Sequence, residues 1–250
     1  SIACKDRAGN ESVSGKTQRF TVDTKRPDIA FFGMKKSNNG KVAPVITFMD
    51  ENLDADGWEI TLEGYTHPIK KVTGKISIIG KGQSILLEDF PYTKEADDIY
   101  TLRARASDKA GNRREASCTF SVNRFGSVYT MDQNTKNLLE TYYSNKIEDV
   151  RIRETNVDAL IFKEITCSRD GEVITLREGE DYTVEEKKHS DGWKVNDYRI
   201  FKETFQKEGA YAINLYSEDG ADNRSSNQAK GKELAFVIDK TAPTLVITGV

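Results

Sequence analysis

Oxygen-bearing side chains recur in short turns along this chain, and they are its best candidates for chemistry. Asp108 and Asn112 bound one such turn, and Asp219, Asp222 and Asn223 belong to another. Asp23, Asp28 and Asn123 lie in the segments that follow or precede repeated units. Carboxylate and amide oxygens are hard ligands of the kind Ca²⁺ takes. Calcium is therefore the one cofactor these residues suit; the competing reading has the same side chains only capping turns, with no cofactor. Trp58, Trp193, Tyr142 and Tyr143 are a second set, because flat rings can stack on sugars. A Trp within an alternating strand reads equally as core.

Catalytic constellations are missing. His67 and His189 are the only histidines, and neither has metal-ligand or catalytic spacing around it. No Gly-x-Ser-x-Gly elbow, phosphate-cradling loop or Cys-x-x-Cys occurs. The three cysteines, Cys4, Cys118 and Cys167, are an odd number and read as buried small hydrophobes rather than a disulfide frame. No enzyme is expected.

The elements that position these residues come from a repeat. Asp6-Arg7-Ala8-Gly9-Asn10 returns as Asp108-Lys109-Ala110-Gly111-Asn112 and as Asp219-Gly220-Ala221-Asp222-Asn223. Each copy precedes an alternating run: Phe20 to Asp23, Phe120 to Asn123 and Phe236 to Asp239. Pro27 and Pro243 mark the junctions after the first and third, whereas Asn123-Arg124-Phe125-Gly126 departs from that pattern. An Asp opening a turn accepts from backbone amides two residues on, and Gly then supplies positive φ at no steric cost. Each motif therefore reads as a hairpin turn. In the third copy Asp222 stands where Gly would be.

Other alternating segments read as strands: 42–48, 58–62, 75–79, 161–167, 173–176, 181–186 and 193–200. Asp170-Gly171 is a strong hairpin signal, and 135–143 alone has some helical pattern. About seven short strands per unit predict an all-β fold of two-sheet sandwiches. Tyr100 and Tyr211 each follow a bend and start the next-to-last strand, the place of a tyrosine corner.

The Asp-x-Ala-Gly-Asn turn, the Phe-x-Val/Ile-Asp strand and the Asp239-Lys240-Thr241-Ala242-Pro243 junction resemble bacterial immunoglobulin-like repeats, found in tandem in large surface proteins and adhesins. The resemblance implies tandem immunoglobulin-like β-sandwich domains from a secreted, wall-attached parent. Residues 1–23 would be the closing hairpin of a truncated repeat, 24–123 and 124–239 two whole domains, and 240–250 the start of the next. In such a sandwich the last hairpin turn faces the N-terminal end, which sets Asp108 and Asn112 against Asp23 and Asp28. The same logic sets Asp219, Asp222 and Asn223 near Asn123, where acids are fewer and calcium should bind more weakly.

Composition fits this picture. The 250 residues carry 37 Lys+Arg against 40 Asp+Glu, so no general field favours nucleic acid or an anionic membrane. No apolar run is long enough to span a bilayer. The function expected is a non-catalytic structural or adhesive segment of a bacterial cell-surface protein. It would space or present a binding region, with neighbouring repeats, a host protein or a glycan as partners. The alternative is a carbohydrate-binding accessory module of a secreted glycan-degrading enzyme, using Trp58 and Trp193.

Overall fold

A computed structural model describes residues 4–11, 20–187, 192–246 and 248. Two pairs of sheets follow one another along the chain. In the first pair, a four-stranded sheet runs in the order Asp28–Phe32, Val45–Met49, Gly82–Leu86, Lys75–Ile79. Its partner runs Ser37–Asn38, Arg113–Val122, Asp98–Asp108, Leu53–Gly64, Lys70–Lys71. The second pair repeats this plan. One sheet is Val128–Met131, Val150–Asn156, Lys194–Ile200, Tyr182–Lys187; the other is Tyr143–Ser144, Leu234–Ile238, Gly209–Asp219, Leu160–Arg169, Glu172–Thr175, with Arg224–Ser226 added beside Gly209–Asp219. In both, a two-residue strand pairs in parallel with the last long strand. The chain is an all-β protein of successive sandwiches.

Alternation explains the layers. Along Asp98–Asp108 and Gly209–Asp219 every second residue is buried, because period two sends alternate side chains to one face. Ile46, Phe48, Ile60, Ile85 and Leu102 belong to one apolar cluster, while Ile152, Ile165, Ile213, Leu215 and Phe236 belong to another. The two clusters share no residue. The tyrosine corners form: Tyr100 donates its hydroxyl to Ala96 O at 3.0 Å, and Tyr211 to Lys207 O at 2.8 Å. Burial first, then the nearby Asp98 and Asp97, pushes the Tyr100 phenol up to about 12.

Several expectations need correction. The strand predicted from Val42 begins only at Val45, since Pro44 has no N–H to give a ladder. Phe20 and Val22 are exposed and lie in no strand, so the predicted strand at 20–23 does not form among the described residues. Of that opening hairpin, the Lys5–Glu11 bridge is present among the described residues. Cys4, read as buried, is exposed. Cys118 is half-buried and Cys167 buried, and burial raises both thiols to about 11. The helical pattern is a full helix, Gln133–Thr141, whose N-cap Asp132 accepts from Thr135 N. His189 lies outside the described residues. Among the described residues, no helix is long and apolar enough to cross a membrane.

Candidate functional site: the joints at the repeat ends

All three repeated turns close in the same way. Asp108 Oδ1 accepts from Ala110 N and Asn112 N at 2.9 and 2.8 Å, and Asp108 Oδ2 accepts from Asn112 Nδ2 at 2.8 Å. Asp6 binds Ala8 and Asn10 likewise, and Asp219 binds Ala221 and Asn223. Gly9 and Gly111 take the left-handed conformation at φ 92 and 89; Asp222 takes it in the third copy at φ 66. Burial works to raise the Asp108 carboxyl, but the Asn112 side chain and the turn amides outweigh it and hold the group below the ordinary range.

The turn asparagine then reaches the preceding segment. Asn112 Nδ2 donates to Asp23 O at 3.0 Å, and Asn223 Nδ2 donates to Asn123 O at 2.7 Å. These matching bonds define two equivalent joints, and their centres differ in charge.

At the first joint, carboxylate oxygens of Asp23, Asp50 and Asp108 lie within 4.8 Å of one another. Asn52 Nδ2 donates to Asp23 Oδ2 at 2.6 Å, and Asn52 N to Asp50 Oδ1 at 2.7 Å. Asp28 stands apart, beside Arg114 at 3.5 Å. Asp50 is the residue sequence reasoning missed. Its signal was the Asp50-x-Asn52 turn after a strand, which reads as local capping alone. Three converging hard anions fit a divalent cation.

At the second joint, Asn123 is fully buried. Its Nδ2 donates to Asn156 Oδ1, Asp158 Oδ2 and Asp219 Oδ2 at 2.8, 3.1 and 2.9 Å. Asn156 Nδ2 in turn donates to Asp219 Oδ2 at 3.0 Å. Amide hydrogens thus converge on these oxygens, and the group of three converging carboxylates found at the first joint has no counterpart here among the described residues. Asp222 is exposed and takes no part.

The linker itself is tied to both sides. The buried Arg124 guanidinium donates to Gly40 O, Phe90 O and Pro91 O and pairs with Asp89 at 2.8 Å, plugging the end of the first sandwich. This explains why the middle junction lacks the Pro pattern. Arg124 N and Phe125 N both donate to Asp97. Ser37 Oγ crosses to Asp158 Oδ1 at 2.8 Å, and Ser121 Oγ binds the same carboxylate.

Trp193 belongs to this joint. Its Nε1 donates to Asp98 Oδ1 at 2.9 Å. Asp98 is buried and also accepts from Thr66 N at 2.8 Å and contacts His67 Nδ1 at 2.7 Å. Burial works to raise the Asp98 carboxyl, yet His67, Thr66 and Trp193 together hold it below the ordinary range. A histidine on a buried carboxylate is two-thirds of a hydrolytic triad. Among the described residues, no Ser or Cys hydrogen bond reaches His67. Trp58 is half-buried, stacked on Phe48 at 5.8 Å, and donates its indole N–H to Ala55 O.

No family model matches the chain, and no curated protein matches it. Among solved structures it is similar to a tetra-tandem repeat in the extending region of a large adhesion protein, with 17% identity and a TM-score of 0.45. That likeness covers 95% of this chain and 55% of the other, so the chain spans about half the length of that structure.

Proposed function

We propose that this chain is a non-catalytic spacer of a bacterial cell-surface protein, built from an immunoglobulin-like module at 24–123 and a second at 124–239. Residues 1–23 belong to a preceding repeat and 240–250 to a following one. The parent is exported and attached to the cell wall, and the modules hold or present a binding region. The observation that carries this reading is the second joint: a buried linker in which Arg124 is bonded to the first sandwich and Asn123 to the second, where an ordinary linker would be exposed and flexible. The carbohydrate-binding alternative draws less support from Trp58 and Trp193, since both rings are half-buried and Trp58 is stacked on Phe48 at 5.8 Å. Stretching the intact chain by its ends is expected to give two separate unfolding steps; one single step for residues 24–239 contradicts the modular reading.

Calcium belongs to this reading at the first joint only, held by Asp23, Asp50 and Asp108. Its chemistry would be electrostatic, fixing the preceding repeat against the first module. Melting the chain in CaCl₂ and in EDTA tests it. The first sandwich is expected to melt at higher temperature with calcium, and the Asp50→Asn variant is expected to lose that gain. Equal melting temperatures in both buffers would remove calcium from the proposal.

A further inference from the structure

A groove of about 1160 Å³ crosses the second joint, with walls from both sandwiches. Lys35, Lys36 and Lys41 enter it from the segment after the first strand, Arg103 from a central strand, and Lys194 from the second sandwich. Lys35, Lys36 and Lys41 are close in sequence; the fold brings Arg103 beside them and the joint adds Lys194. Opposing acids are fewer. Glu63 is paired with Arg103 at 3.5 Å, and Asp158 already accepts from Ser37, Ser121 and Asn123. With Asp222 the groove is lined by three acids against five cations, a modest excess of positive charge within a chain of net charge -3. An excess of one sign of charge in a cleft concentrates ions of the other sign, here where Lys35, Lys36 and Lys41 cluster.

The groove also holds an aromatic face. Tyr65 is 54% exposed, and its ring lies against Gly192 of the second sandwich, where an added Cβ would come within 2.6 Å of it. The second sandwich therefore fixes where this ring stands. Thr101 and Thr119, hydroxyl to hydroxyl at 3.2 Å, line the same wall.

We infer that this groove binds an acidic glycan, a chain of sugars bearing carboxylate or sulfate groups. Lysines would meet the acid groups, Tyr65 would stack on a ring, and hydroxyls would serve the sugar oxygens. An acidic peptide is favoured less, because the groove offers an aromatic plane and hydroxyls rather than deep apolar pockets for side chains. Nucleic acid is favoured less because carboxylates interrupt the basic surface. The inference rests on the joint being fixed, as the spacer reading holds.

Fluorescence anisotropy of the intact chain with a labelled chondroitin sulfate hexasaccharide tests this. Binding is expected to weaken about tenfold in the Lys36→Glu/Lys41→Glu variant and in high salt, since exposed charges are screened. Tyr65→Ala is expected to weaken it several-fold, and neutral dextran is expected not to compete. Absence of binding, or binding unchanged in these variants, overturns the inference. Equal competition by poly-glutamate also overturns it, in favour of an acidic protein. A folded chain with a rigid joint and no binding would sink the groove alone and leave the spacer reading intact.

Discussion

Position 23 carries a carboxylate and position 123 an amide, although both sit at the same place in successive repeats and both accept from the turn asparagine. Asn123 donates into three oxygens, two of them from carboxylates, and so offsets repulsion that a third acid would add. Asn123→Asp should bring the second joint close to the composition of the first. In EDTA it is expected to lower stability by about 3 kcal/mol, the scale for an uncompensated buried charge. Added calcium is expected to recover part of that loss, which thermal melts would show; no destabilisation in EDTA contradicts this role for the amide. The Asp-opened turns and tyrosine corners were legible in the sequence because their bonds span four residues or fewer. Asp50 and Asp158 were not, since their importance depends on partners brought in by the fold.

At the scale of elements, the same division between local and distant signals decides what could be read. Hairpins announced themselves through Asp170-Gly171, where φ values of 50 and 90 fit a tight primed turn. Strand Val150–Asn156 escaped notice because its inward face carries Val150 and Ile152 but then Glu154 and Asn156, both buried. Glu154 accepts from Ser127, Tyr129, Tyr198 and Ser217, and burial with this charge pushes the Tyr129 and Tyr198 phenols upward. The apolar pattern thus breaks where a polar network replaces it. The contact between Trp193 and Asp98 spans 95 residues and was equally invisible. It has a consequence in acid. A carboxyl held low in the folded state stabilises above its ordinary pKa of 3.8, and that contribution disappears as pH falls through the lower folded value. Trp193 fluorescence, in a Trp58→Phe background, is expected to change with a midpoint below 3.8 and to lose that transition in Asp98→Asn. A midpoint at or above 3.8 contradicts the assignment.

Across the whole molecule, two sandwiches with separate cores are joined by a segment that is itself core-like. Arg124 is locked into the first, Asn123 into the second, and Asp97, Asp98 and Asp158 take bonds across the boundary. Repeats that contact only their neighbours gain reach by stacking, and a stiff joint preserves that reach under load. The architecture was readable from the repeat, whereas the burial and bonding of the linker were not, because its sequence alone reads as an ordinary surface connection. The most direct test is the distance between spin labels at Lys75→Cys and Glu172→Cys by pulsed electron resonance. It uses a Cys4→Ser/Cys118→Ser background, since Cys118 is only half-buried while Cys167 is buried. One narrow distance distribution is expected, broadening when Arg124 and Trp193 are both replaced by alanine. A broad distribution in the unaltered joint would contradict the account.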